Sequence, residues 1–107
     1  MSAMQWDYQE KISYSRDKAN KVVLNETEHS RSTLWCLLPG QHIHPHVHAG
    51  DHIWVVFEGE GNYLSEGKAP QAVAPGSVLV APAGESHGVE NTGDEGLVFL
   101  SVSAGAE

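Results

Sequence analysis

Turn-forming residues interrupt this chain so regularly that it has no room for a long helix beyond residue 20. Pro39-Gly40, Gly59-Glu60-Gly61, Pro75-Gly76, Pro82-Ala83-Gly84 and Asn91-Thr92-Gly93-Asp94 combine restricted or sterically free backbone with short polar side chains that close turns. Between them lie short runs rich in Val, Leu, Trp and Phe, at about residues 21–25, 33–38, 52–57, 61–64, 71–73, 77–80, 88–91 and 97–102. Eleven glycines and five prolines in 107 residues leave no window of ten or more with helical periodicity in this stretch. Many short strands close most economically as a barrel or a two-sheet sandwich, because closure removes exposed edges. Residues 21–107 are therefore read as one all-β domain, and a chain of this length buries roughly 60–70% of its unfolded surface.

Residues 1–20 do not share that pattern. Trp6, Tyr8, Ile12 and Tyr14 carry apolar mass, but the polar block Gln9-Glu10-Lys11 interrupts them. The expectation is an arm or edge strand that packs on the barrel or on a partner subunit. Such an arm has more apolar area than a lone edge should expose, and strand exchange in a two-fold homodimer would bury it.

Six basic against fourteen acidic residues, a formal charge of -8, argue against nucleic acid or an anionic membrane surface as partner. The opening MSAMQWDYQE has neither the basic head nor the apolar core of a signal peptide, and no apolar run approaches the ~20 residues of a membrane span. A soluble, cytoplasmic protein is expected. Cys36, the single cysteine, lies between Trp35 and Leu37, which rules out an internal disulfide and a Cys-based zinc knuckle. It reads as a buried, inert thiol.

The chemistry is concentrated in histidine. His46, His48 and His52 fall within HPHVHAGDH, and His87 answers them from a distant segment. Residues two apart on a strand share a face, so His46 and His48 can look into the barrel together. The Ala49-Gly50-Asp51 turn lets His52 enter the next strand beside them, and Pro82-Ala83-Gly84 does the same for His87. Neutral imidazoles bind divalent transition metals, and four of them buried without a partner would be costly. The competing reading is a set of solvated loop histidines with adventitious metal affinity.

The spacing resembles the cupin family, whose members carry two short motifs. Gly40, five residues, His46-Val47-His48, three residues, His52, six residues and Gly59 match the first with one substitution, a histidine where the family has glutamate. Gly76, five residues, Pro82-Ala83-Gly84, two residues, His87, three residues and Asn91 match the second with none. The resemblance implies a small antiparallel β-barrel of jelly-roll, double-stranded β-helix type, and one divalent transition metal per chain (Mn, Fe, Zn, Ni or Cu). It implies His46, His48, His52 and His87 as the ligands, and homodimer pairing.

Around that set the residues leave alternatives. His42 and His44 either extend the inward row as hydrogen-bond donors near the mouth, or meet solvent or another subunit before Pro45 bends the strand. The second reading is favoured because four ligands already satisfy a common metal. His29 is read as a surface turn residue. Trp54 and Val56, in register with His52, suggest an apolar pocket wall, although Trp54 can equally be core. Asp51 is either a hydrogen-bond partner for an imidazole or a turn former, and Tyr63 can reach the cavity from the following strand.

Four neutral imidazoles leave a divalent ion at a charge of about +2, which suits an anionic, chelating small molecule such as an enolate, catecholate or 2-oxo acid. Three functions compete: dioxygenase-type oxygen chemistry, favoured by family precedent; non-redox isomerase, cyclase or lyase chemistry; and a non-catalytic ligand-binding or sensing module.

Overall fold

In the computed structural model, which describes residues 3–104, one helical turn precedes nine strands: α1(Tyr8–Lys11), β1(Asn20–Glu26), β2(Ser30–Leu37), β3(His42–Val47), β4(Asp51–Glu58), β5(Gly61–Leu64), β6(Gln71–Val73), β7(Val78–Ala81), β8(Ser86–Asn91) and β9(Leu97–Ala104). They form two antiparallel sheets, ordered β1-β2-β9-β4-β7 and β3-β8-β5-β6. The strands expected from apolar runs all form, within a few residues at their ends. β3 is not among those runs, because it is mostly histidine and contains Pro45. Its position on a sheet edge is what makes that proline tolerable.

Register decides what faces the interior. Across β2, β9 and β4, directly paired residues form rows: Arg31, Ser103 and His52; Thr33, Ser101 and Trp54; Trp35, Phe99 and Val56. These rows alternate with Leu34 beside Leu100 and Cys36 beside Val98, which point to the opposite face. Between the sheets Leu37, Trp54, Val56, Tyr63, Val73, Ala81, Val89, Leu97 and Phe99 pack into one core. Each large side chain buried there contributes about 1.5–3 kcal/mol.

The N-terminal arm covers part of the outer face of the five-stranded sheet. Tyr8 and Ile12 pack with Val22, Leu24 and Phe57 over Leu34, Cys36 and Val98. The Tyr8 ring lies 4.3 Å from that of Phe57, and its hydroxyl donates to Glu58 Oε2 at 2.9 Å. Asp7 caps the turn by accepting from the Gln9 amide at 3.0 Å. The arm thus contains a helical turn rather than a strand, and Tyr8 and Ile12 pack on their own chain. Burial pushes the Cys36 thiol up, which holds it protonated and unreactive. No helix among the described residues is long and apolar enough to cross a membrane.

Gly88 shapes the end of the barrel that carries the histidines, and Asn91, at the far end of β8, ties the opposite end. Gly88 on β8 lies where β3 crosses closest: a Cβ there would stand 2.3 Å from the Ile43 carbonyl oxygen and 2.6 Å from Pro45 N. Asn91 is buried, donates through Nδ2 to the carbonyls of Leu37 at 2.9 Å and Glu95 at 2.8 Å, and accepts from the Gly93 amide at 2.9 Å. Its motif position is therefore a structural tie between the two sheets. Asn91→Ala is expected to destabilise the protein by about 2–3 kcal/mol, because it strands buried carbonyls. Urea denaturation measures this, and an unchanged midpoint would refute the role.

Candidate metal centre

In β3, Ile43 faces the interior and pairs with Val89, so His42 and His44 point outward. Between Ile43 and His46 the register with β8 shifts, at Pro45. The bulge reverses the parity of the strand, and His46 arrives opposite His87. His48 follows in the link to β4, and His52 enters from the facing sheet in the row with Ser103 and Arg31.

The rings converge. His48 lies 4.5 Å from His46, 4.5 Å from His52 and 4.8 Å from His87 between ring centroids, and His52 is 4.8 Å from His87. The ligand atoms of His48, His52 and His87 all fall within 4.8 Å of one another, so these three can share one ion. His46 flanks the cluster, exposed, with its ring 6.1 Å from that of His87.

Backbone carbonyls orient two of the rings. His46 Nδ1 is 2.8 Å from the His44 carbonyl oxygen and His87 Nδ1 is 3.2 Å from that of Glu85. A carbonyl only accepts, so each Nδ1 carries a proton, which in the neutral ring leaves the lone pair on Nε2, the tautomer a metal ligand requires. The donor set thus fits a borderline divalent cation. His87 is 3% exposed; burial holds its imidazole below the ordinary range, the Glu85 carbonyl opposes this, and His52, His48 and His46 add to the lowering. His87 therefore stays neutral near physiological pH.

The turns behind the site lock together. Asp51 Oδ1 accepts from the Ala83 amide at 2.8 Å, and the Gly84 amide donates to the His48 carbonyl at 3.0 Å. Gly84 adopts φ +82°, a conformation that L side chains rarely adopt. Asp51 acts here as a turn former, bonded to backbone rather than to an imidazole.

The histidines open onto a cavity of about 270 Å³. Trp54 forms part of its wall, 4% exposed and edge-on to His87 at 5.6 Å. Val56 and Tyr63, expected on that wall, belong to the core behind it, because the Trp54 ring packs against Phe99 and Tyr63 and fills the space between. His44 is exposed outside the cavity and reaches the site only through its carbonyl.

Sequence reasoning missed the other wall. Lys21, Arg31, Thr33, Trp35, Ser101 and Ser103 line the cavity opposite and beside the imidazoles. The Glu26 carboxylate holds Arg31, accepting from its Nε at 2.8 Å and lying 2.6 Å from a terminal guanidinium nitrogen. The signal was present as period-two alternation, Arg31/Thr33/Trp35 and Ser101/Ser103 matching His52/Trp54, but it needed the pairing of β2, β9 and β4 to be read.

The cupin domain family model matches residues 33–103, and the chain belongs to that family. It is 33% identical, over an alignment of 102 residues, to an oxalate-binding protein of Thermotoga maritima, with 87% of this chain and 84% of that protein covered. Among solved structures, an uncharacterized double-stranded β-helix protein from Klebsiella pneumoniae superposes with a TM-score of 0.90 at 31% identity, covering 96% of this chain and 90% of that one. A protein from Thermus thermophilus gives a TM-score of 0.89 at 33% identity, covering 96% of this chain and 98% of that one. The antiparallel barrel of cupin type expected from the sequence is thereby established.

The neutral state of His87 has a consequence for stability. Unfolded, its imidazole titrates near about 6.5, and folded it titrates lower, so below that pH the unfolded chain binds more protons. The chelator-treated protein is expected to lose stability as pH falls from about 7 to about 5, with a shallower loss in His87→Gln. Urea midpoints across that range test this, and equal slopes for the two proteins would refute it.

Proposed function

We propose that this chain binds a small dicarboxylate of the oxalate class through a divalent transition metal held by its histidines. His48, His52 and His87 are the compact ligand set, and the Nε2 of His46 is the fourth donor. When bound, the ion supplies a charge of about +2 and coordination positions open to a chelating anion.

The observation that carries this reading is the wall facing the imidazoles. Lys21 and Arg31 bring two cations to the same cavity, while the hydroxyls of Thr33, Ser101 and Ser103 offer hydrogen-bond donors. Cations and hydroxyls around a cationic metal form a receptor for a compact anion with several oxygens. The similarity to a protein named for oxalate binding supports the same class. Dioxygenase-type turnover, which family precedent suggests, is the competing reading.

Titration calorimetry of manganese- or zinc-loaded protein with oxalate is expected to give saturable binding. Lys21→Ala and Arg31→Ala are each expected to weaken it by about tenfold, the loss of one charge-assisted hydrogen bond. His48→Ala or His52→Ala is expected to abolish metal retention by elemental analysis. Absence of oxalate binding to loaded protein would overturn the proposal, and oxygen uptake with a chelating substrate would return the oxygenase reading.

Homodimer pairing is proposed through a different surface from the arm. Ile53 on β4 pairs with Val80 on the edge strand β7, and with Val78 they expose an apolar stripe in which Val78 and Val80 are 65% and 63% exposed. A second copy would cover it. Sedimentation is expected to give the mass of two chains for wild type and one for Val80→Asp; a wild-type mass of one chain would refute this.

A further inference from the structure

The bulge between Ile43 and His46 divides the histidine row into two pairs, and the rings of the outer pair have no part in the function proposed above. His42 and His44 are both exposed, on the face of β3 opposite Ile43. Their Nε2 atoms stand 3.1 Å apart, with the ring centroids at 4.4 Å and the rings edge-on at 78°. We propose that His42 and His44 form a second, exposed metal site, a two-imidazole chelate for a borderline divalent cation such as zinc, nickel or copper(II).

The spacing carries the argument. Two imidazole nitrogens bound to one ion at about 2.0–2.1 Å, in adjacent octahedral or tetrahedral positions, lie about 2.8–3.4 Å from each other. The observed separation falls within that interval. Without an ion the same contact is a single hydrogen bond between solvated rings, worth about 0.5–1.5 kcal/mol, which is little to set against chelation.

The strand also holds the pair in place. His42 is directly paired with Glu90 on β8, and Pro45 restricts the backbone one residue beyond His44, so the backbone that carries the pair is already ordered before binding. Glu90, opposite His42, lies on the same face of the sheet and accepts from Asn62 Nδ2 at 3.3 Å through Oε1. Its charge lowers the energy of a cation nearby. His44 belongs to both sites: its ring to the outer pair, and its carbonyl to the His46 Nδ1–H at 2.8 Å.

The test is the stoichiometry of nickel(II) and copper(II) binding to the full chain, by calorimetry and equilibrium dialysis. Wild type is expected to take two equivalents. His42→Ala or His44→Ala alone is expected to weaken the second by about a hundredfold, since a chelate becomes a single ligand. The double variant is expected to take one, and His29→Ala to take two. Copper(II) added as the second equivalent is expected to show coupling to two nitrogens by electron paramagnetic resonance. Two equivalents persisting in the folded double variant would overturn the site, as would a wild type whose every equivalent disappears with His48→Ala and His52→Ala. Should the inner cage fail to bind, one equivalent lost with His42 and His44 still upholds the outer site.

Discussion

The convergence of the histidines depends on how closely β3 can approach β8 at Gly88. With no side chain there, the Ile43 carbonyl and the Pro45 nitrogen occupy the space a Cβ would need. The approach permits the register shift between Ile43 and His46, and the shift turns His46 toward His87 instead of away from it. A regular strand would keep His46 on the outer face with His42 and His44. The backbone irregularity thus sorts one alternating run of histidines into an inward pair and an outward pair.

The interior changes character along the rows of paired residues. At one end Trp35, Phe99 and Val56 adjoin Leu37, Leu97 and Val73, all packed between the sheets. One step along, Thr33, Ser101 and Trp54 mix hydroxyls with an aromatic wall, and the next row is Arg31, Ser103 and His52. The same two-residue period supplies core at one end and ligand groups at the other. Trp54 stands at the boundary, its ring against Phe99 on one side and His87 on the other. The barrel can therefore change its ligand chemistry at the open end without disturbing the packing that holds it together.

Charge is distributed against the average of the chain. The protein is acidic at -8, yet two of its six basic residues line the cavity. Lys21 and Arg31, the latter paired with Glu26, bring their charge to the cavity independently of the imidazoles. The acidic remainder of the surface leaves this cavity as a local exception to the chain's overall charge.

Fold class and turn positions were legible in the sequence because they depend on local chemistry. Glycine and proline at the turns and the two-residue period of the strands act within a few residues of themselves. The histidines were legible as a group for the same reason, since their types and offsets carry the motif. The sequence did not show that the arm would contain a helical turn packed on its own sheet, or that Val56 and Tyr63 would lie behind Trp54 rather than beside it. Nor did it show that Arg31 and Lys21 would face the imidazoles. Those outcomes depend on which strands pair and in what register, and register is settled by the summed burial of both sheets. Local sequence determined which residues could bind; the tertiary structure alone decided which of them meet, because a shift of one residue in pairing moves every side chain of a strand to the other face.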